Sequence, residues 1–195
     1  MNDKRLNTVK EHLMHSRETF ERVELENTTD ILVATDLLVT SFKNGGKLLI
    51  CGNGGSAADA QHVAAELMSR LHRDHDRPAI PAIALTTDTS FLTAYSNDMH
   101  FEGIFARQVE GIGNSGDVLL GISTSGSSTN VIEACKVAKK KGMRVIGLTG
   151  RTGLHTDADC IIAVSGDDTQ CTQEAHLAIE HMLCELVERS LYPTS

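Results

Sequence analysis

Four groups of residues in this chain have the types and spacing that chemistry needs. His62 and Glu66 stand four apart in a helix-forming stretch, so they project from one face about one turn apart. That spacing suits two ligands of one metal, or a ligand beside a base, and it equally suits a surface hydrogen bond. Near the C-terminus, Gln173, His176 and Glu180 share a helical face, and His181 lies about 80° round from Gln173 with roughly 12 Å of rise between them. Two long side chains barely converge on one ion across that distance. They act at the limit of reach, serve sites in different subunits, or are exposed polar positions of an amphipathic helix.

The other two groups are loops. Cys51-Gly52-Asn53-Gly54-Gly55-Ser56 joins an apolar run to a helix-rich stretch, where glycines let a ligand approach the backbone and helix-start N–H groups attract an anion. It has neither the G-x-G-x-x-G spacing of dinucleotide folds nor the lysine of a P-loop, and by itself it is equally a plain tight turn. Ser123-Thr124-Ser125-Gly126-Ser127-Ser128-Thr129 follows the most apolar run of the chain. One helix cap needs one hydroxyl, whereas six of these seven residues carry one, which favours a phosphate monoester held without lysine or metal.

The elements that must position these groups follow from periodicity. Leu6, Val9 and Leu13, then Ile31, Ala34, Leu38 and Phe42, recur at helical spacing and predict two amphipathic helices. Asn27-Thr28-Thr29-Asp30 offers caps between them, and Asn44-Gly45-Gly46 ends the second. Five short apolar runs then alternate with helices: 47–51, 82–85, 117–122, 143–149 and 160–164. This α/β rhythm predicts a five-stranded parallel sheet flanked by helices, with ligand-binding loops at the carboxyl ends of the strands. A helical hairpin over 1–45 precedes an α/β core over 46–195, within one domain. The polar stretch from His72 to Pro78 reads as a solvated connection.

Composition narrows the partners. With 195 residues, 41% hydrophobic and 23% charged, the chain has ordinary globular usage. Lys+Arg number 18 against Asp+Glu 26, a net charge of −8, which disfavours a phosphate-tracking nucleic-acid surface. The absence of a long apolar run and of an export signal predicts a cytoplasmic protein with no membrane partner. Five widely spaced cysteines without a C-x-x-C pair read as free thiols of a reducing compartment.

Taken together, the segment from Cys51 to His62, then Glu66, Ala84 to Ser90, Asn97-Asp98, Gly116 to Gly126 and Gln173 to His176 resemble the sugar isomerase (SIS) superfamily. The similarity is closest to its branch acting on seven-carbon sugar phosphates, and it runs nearly the whole chain. The resemblance implies a three-layer, flavodoxin-like sandwich assembled as a homotetramer with sites at subunit interfaces. It implies conversion of sedoheptulose 7-phosphate to D-glycero-D-manno-heptose 7-phosphate, the first step toward nucleotide-activated heptose for bacterial surface polysaccharides such as lipopolysaccharide. Carried over, the zinc ligands are His62, Glu66, Gln173 and His181, with one ion per site. Glu66 is the base and His181 the acid/base acting through an enediol intermediate. Substrate contacts fall on Asn53, Gly54, Gly55, Ser56, Asp98 and Gln173, and the phosphate on Ser123, Thr124, Ser125 and Ser128.

Two features depart from that pattern. Cys171-Thr172 stands where the family often has Arg-Ile before the glutamine, and the loop from Gly150 to Asp157 is shorter than its glycine-rich counterpart. An isomerase of another sugar phosphate, and a branch resembling the DnaA initiator-associating binding protein, are the alternatives. Glu66 and His181 favour the enzyme. Arg70, Arg107 and Arg151 are further sites for charge contacts, or solvated surface residues.

Overall fold

The computed structural model describes residues 3–72 and 76–193. Two helices, α1 (Lys4–Glu26) and α2 (Thr28–Lys43), precede the alternation β1 (Leu48–Cys51), α3 (Gly55–Met68), β2 (Ala82–Ala84), α4 (Thr89–Asp98), a 3-10 turn at Phe101–Gly103, α5 (Ile104–Ile112), β3 (Val118–Ser123), α6 (Thr129–Lys140), β4 (Arg144–Gly150), β5 (Cys160–Val164) and α7 (Thr169–Leu191). The predicted sheet is present. Its strands are all parallel in the order β2-β1-β3-β4-β5, with Leu48 aligned to Val118 and Ile146 to Cys160.

Strand side chains alternate between two cores, because successive residues of a strand face opposite ways. Leu48, Ile50, Val118, Leu120, Ile146 and Leu148 face α2, α3 and α7, whereas Leu49, Cys51, Leu119 and Val145 face α5 and α6. Every residue of β3 is buried, as a strand covered on both faces requires. Each fully buried leucine or isoleucine contributes about 1.5–3 kcal/mol, so truncating Leu120 to alanine costs about 2–5 kcal/mol.

One consequence of the strand order positions the site. β1 and β3 are neighbours, yet α3 leaves β1 toward one face and α6 leaves β3 toward the other. The chain reverses its winding here, and a crevice opens at the carboxyl ends of these two strands.

Two local expectations resolve differently. Asn27 does not cap α2 through its side chain; its amide donates instead to the Ala163 carbonyl at 3.1 Å, tying the helix junction to β5. Of the stretch read as a solvated connection, residues 73–75 lie outside the described residues, and the Arg77 side chain is fully buried, held by an ion pair to Glu188.

Candidate active site

The two loops stand at the carboxyl ends of β1 and β3. Gly54, with φ of +57°, makes the turn that lets α3 start directly after β1, a backbone conformation that glycine adopts without strain. In the serine loop, Gly126 has φ of +68°, and a Cβ there would overlap the Gly153 carbonyl. Close approach of the loop after β4 explains this. His155 donates its backbone N–H to the Gly126 carbonyl at 3.1 Å, and Thr152 donates its hydroxyl to the Ser125 carbonyl at 3.0 Å. The short segment from Gly150 to Asp157 thus braces the serine loop.

Ser128 occupies the N-cap position of α6 but makes no side-chain capping bond. Its Oγ lies 2.9 Å from Ser123 Oγ, which in turn lies 3.4 Å from Ser125 Oγ. Capping therefore does not account for these hydroxyls. They cluster at the N-terminus of a helix, whose unpaired N–H groups and positive dipole end suit an anion. Ser125 is exposed, while Thr124 and Ser128 are half-buried.

A reciprocal amide pair joins the loops. Asn53 donates to Asn130 Oδ1 at 2.9 Å and Asn130 donates to Asn53 Oδ1 at 2.8 Å, while Asn130 Oδ1 also accepts from the Val131 N–H. Sequence reasoning missed Asn130, since an asparagine one residue inside a helix has no distinctive pattern. Asn53 and Gly54 also border a crevice of about 610 Å³ whose far wall is Leu92, Thr93, Ser96 and Asn97 of α4, with Phe101 beyond.

A second cluster is built from helices α3 and α7, which lie on the face of the sheet opposite α6. His62 and His181 meet with their Nε2 atoms 2.8 Å apart, although 119 residues separate them in sequence. At that distance one nitrogen carries a proton and the other accepts it. Glu66 Oε1 stands 3.9 Å from His62 Nε2. Gln173 lies nearer the start of α3, against Gly55, and donates to Asp59 Oδ2 at 3.2 Å. Ser56 is buried beneath Gly52.

Asp98 is placed apart from these groups. It accepts from the Asn97 amide at 2.8 Å and borders a different hollow with Tyr95, Met99 and Arg107. Arg107 pairs with Glu110 at 2.6 Å, and Arg70 and Arg151 are exposed.

Behind the corner lie two shielded acids. Burial raises the Asp59 carboxyl, opposed by its hydrogen bond from Gln173 and by His62. Asp59 went unnoticed in the sequence, although it stands three residues before His62 on the same helical face. Glu180 faces apolar neighbours including Leu38, Val63 and Leu120. Its oxygens have no hydrogen-bond partner among the described residues, and burial, with Asp59 nearby, pushes it up to about 9. His176 turns into the core with its Nε2 3.0 Å from the Thr149 carbonyl oxygen, and burial pushes it down to about 4. A backbone carbonyl accepts, so Nε2 carries the proton and the ring is neutral at pH 7.

The missing Arg-Ile pair also finds its place. Cys171 is buried with Sγ 3.8 Å from Ser16 Oγ of α1, and Thr172 Oγ1 donates to the Asp168 carbonyl at 2.7 Å. All five cysteines are free and buried, and burial pushes the Cys135 and Cys184 thiols up to about 12.

Comparison with known proteins agrees with this architecture. Residues 11–150 match the SIS domain family model. A phosphoheptose isomerase of a Roseiflexus species is 50% identical over 175 residues, 88% of each chain. Another, from a Nitratiruptor species, is 47% identical over 187 residues, 95% of this chain and 99% of that one. A solved phosphoheptose isomerase from Francisella tularensis superposes with a TM-score of 0.91 at 36% identity, covering 95% of this chain and 99% of its own. The chain belongs to the SIS domain family, in its phosphoheptose isomerase branch.

Proposed function

We infer that this protein is an aldose–ketose isomerase that interconverts sedoheptulose 7-phosphate and D-glycero-D-manno-heptose 7-phosphate. The observation that carries the reading is the convergence of Glu66 with the His62–His181 pair, in a chain that also carries a hydroxyl-lined helix N-terminus without a side-chain cap.

The chemistry needs few groups. The serine loop anchors the phosphate through Ser123, Thr124, Ser125 and Ser128 and the N–H groups of α6, while Asn53, Gly54, Gly55, Ser56, Asp98 and Gln173 are assigned to the sugar. Glu66 removes one C1 proton from the ketose, and the electron pair forms the C1–C2 double bond of an enediol as O2 takes a proton from His181. Glu66 then returns its proton to C2 while the O1 proton leaves to His181, giving the C1 aldehyde. One carboxylate and one imidazole, each used twice, balance every proton.

We also propose one zinc ion at His62, Glu66, Gln173 and His181. Two imidazoles, a carboxylate and an amide oxygen are a donor set zinc accepts. The facing Nε2 atoms support the choice, because in the tautomers protonated at Nδ1 both lone pairs are offered to a cation, which leaves the Nδ1–H of His181 for proton exchange. Among the described residues no three His, Cys, Asp or Glu side chains are grouped around one point, and Gln173 is held by Asp59, so Glu66 and Gln173 would turn toward the facing imidazoles to complete the set. Bound zinc supplies a Lewis acid that polarises the sugar carbonyl.

A homotetramer is the proposed assembly. Leu6, Val9 and Leu13 form a stripe on α1 that is 50–64% exposed in the isolated chain, an apolar face that another copy covers. The proposed location is the cytoplasm, supported by five unpaired thiols. Among the described residues no helix is long and apolar enough to cross a membrane.

NMR of the purified protein with sedoheptulose 7-phosphate in deuterated water, zinc supplied, tests the activity. Aldose formation with deuterium beside the carbonyl is expected. Neither product nor exchange from folded protein sends the assignment to another sugar phosphate or to the binding branch.

A further inference from the structure

The end of α3 is held from outside in an unusual way. Glu66 and Leu67 lie in its last turn, where backbone carbonyls lack intrahelical partners, and that turn contains no basic residue of its own. Arg77 fills the gap from the following segment. Its Nη2 donates to the Glu66 carbonyl at 2.9 Å and its Nη1 to the Leu67 carbonyl at 2.8 Å and the Pro78 carbonyl at 3.0 Å. Its Nε donates to Glu188 Oε2 at 2.6 Å, and both side chains are 1% exposed.

Glu188 belongs to α7, seven residues beyond His181, so the two project from nearly the same helical face two turns apart. Helices α3 and α7 are therefore linked at three levels. Gln173 reaches Asp59 at the first, His181 meets His62 at the second, and Glu188 reaches the Glu66 backbone through Arg77 at the third. The third level is where a helix terminus frays, and it is also where the base sits.

Stability alone does not call for such a device, because a buried ion pair loses solvation and apolar residues of equal volume often hold a fold as well. A guanidinium instead offers donors in fixed directions, here two carbonyls of one helix end and one carboxylate of another helix. We propose that Arg77, anchored by Glu188, is a positioning residue that holds Glu66 in register with His181. The proposal rests on the reading of Glu66 as the base. It assigns a role in turnover to residues that touch neither substrate nor metal.

Two variants test it. Arg77→Lys keeps the charge and loses the fork; the double variant Arg77→Met with Glu188→Met removes both charges and leaves neither one stranded. Each is compared with the wild type by circular dichroism, by the ring ¹⁵N resonances of His62 and His181, and by kcat and KM for sedoheptulose 7-phosphate. Both variants are expected to fold, with displaced ring resonances, kcat lower by about tenfold or more, and KM within about twofold. The unchanged KM follows because the serine loop stands on β3 and α6, away from the brace. Folded variants with wild-type ring resonances and kcat within about twofold overturn the proposal, as does failure of both variants to fold. A wild type that leaves the sugar phosphate untouched sinks the functional reading instead, and ring resonances displaced by the substitutions still uphold the brace.

Discussion

The serine loop and the α3–α7 corner place functional groups in opposite ways. In the loop, hydroxyls and backbone N–H groups come from seven consecutive residues, and a strand end and a helix start fix their directions locally. In the corner, His62 and His181 come from helices whose contact residues are 119 positions apart, and only tertiary packing brings them within 2.8 Å. Hydroxyls and amides do not titrate in the working range, whereas imidazoles and carboxylates do. In the proposed reading, binding of the phosphate is thereby separated from proton transfer in both position and chemistry. Substitutions in one region should move one kinetic parameter and leave the other.

The largest effect is expected at the corner. Glu66→Gln keeps the shape of the side chain and removes the base, so kcat should fall by about 100-fold or more while sugar-phosphate affinity, read by calorimetry, stays near the wild-type value. A normal kcat removes Glu66 as the proton carrier. Loss of affinity without loss of kcat would reverse the division of labour between the two regions.

The matching test of the loop is Gly126→Ala. A side chain here meets both a positive φ and the Gly153 carbonyl, and the His155 and Thr152 bonds that brace the loop depend on that close approach. The left-handed conformation alone costs about 1–2 kcal/mol, and displacement of the loop adds to it. Inorganic phosphate or substrate should bind roughly 10- to 100-fold more weakly, with saturating kcat retained; unchanged affinity would show that the loop does not hold the anion.

The two regions also differ in how far they can be read from sequence. Strand runs, glycine turns and the hydroxyl excess are local patterns, so the sheet and the serine loop are legible to within a residue or two: 160–164 predicts β5, which spans Cys160–Val164. His62 and Glu66 are legible as a pair through their spacing. Their partner is visible only through family resemblance, because helix geometry alone leaves His181 and Gln173 poorly aimed at one point. In the fold they indeed go to different levels of α3, to His62 and to Asp59. Arg77 hides within a polar stretch whose composition suggests solvent, since an ion pair to a residue 111 positions away leaves no local trace. The burial of Glu180 hides for the same reason, as a charged letter in an amphipathic helix normally marks the solvated face.

Glu180 sharpens the comparison by pH. Its folded form holds a proton up to about pH 9, while an ordinary carboxyl loses it near 4.5. Between those values the folded state binds more protons than the unfolded one, so stability falls as pH rises through that window and the full contribution is present only below it. Glu180→Met, in a setting of leucine and valine, should match the wild type near pH 4 and exceed it by several kcal/mol at pH 8, since the interval from 4.5 to 8 is worth about 4–5 kcal/mol at about 1.4 kcal/mol per unit. Urea denaturation at the two pH values measures the difference. His176, held neutral down to about 4, acts with the opposite sign on the acid side: its contribution is lost as pH falls from about 6.5 toward 4. An equal advantage of the variant at both pH values would assign its gain to packing and not to the proton.

The smallest expected change tests whether the loop works as a set of interchangeable contacts. Ser125 is exposed, accepts from Ser127 N–H at 3.3 Å and from Ser127 Oγ at 3.1 Å, and lies 3.4 Å from Ser123 Oγ. No capping bond or core packing depends on it, so Ser125→Ala should leave the melting temperature unchanged. One hydroxyl-to-phosphate bond is worth about 1 kcal/mol, somewhat more when the anion strengthens it, and affinity should drop by roughly five- to tenfold. The corner is untouched by this change, so the deuterium-exchange rate at saturation should equal that of the wild type. A substrate truncated to remove its phosphate supplies the control, because it should not distinguish the variant from the parent. If the variant binds phosphorylated and unphosphorylated sugars with equal losses, the serine loop recognises the sugar and not the anion, and the separation between binding loop and reactive corner fails at its binding end.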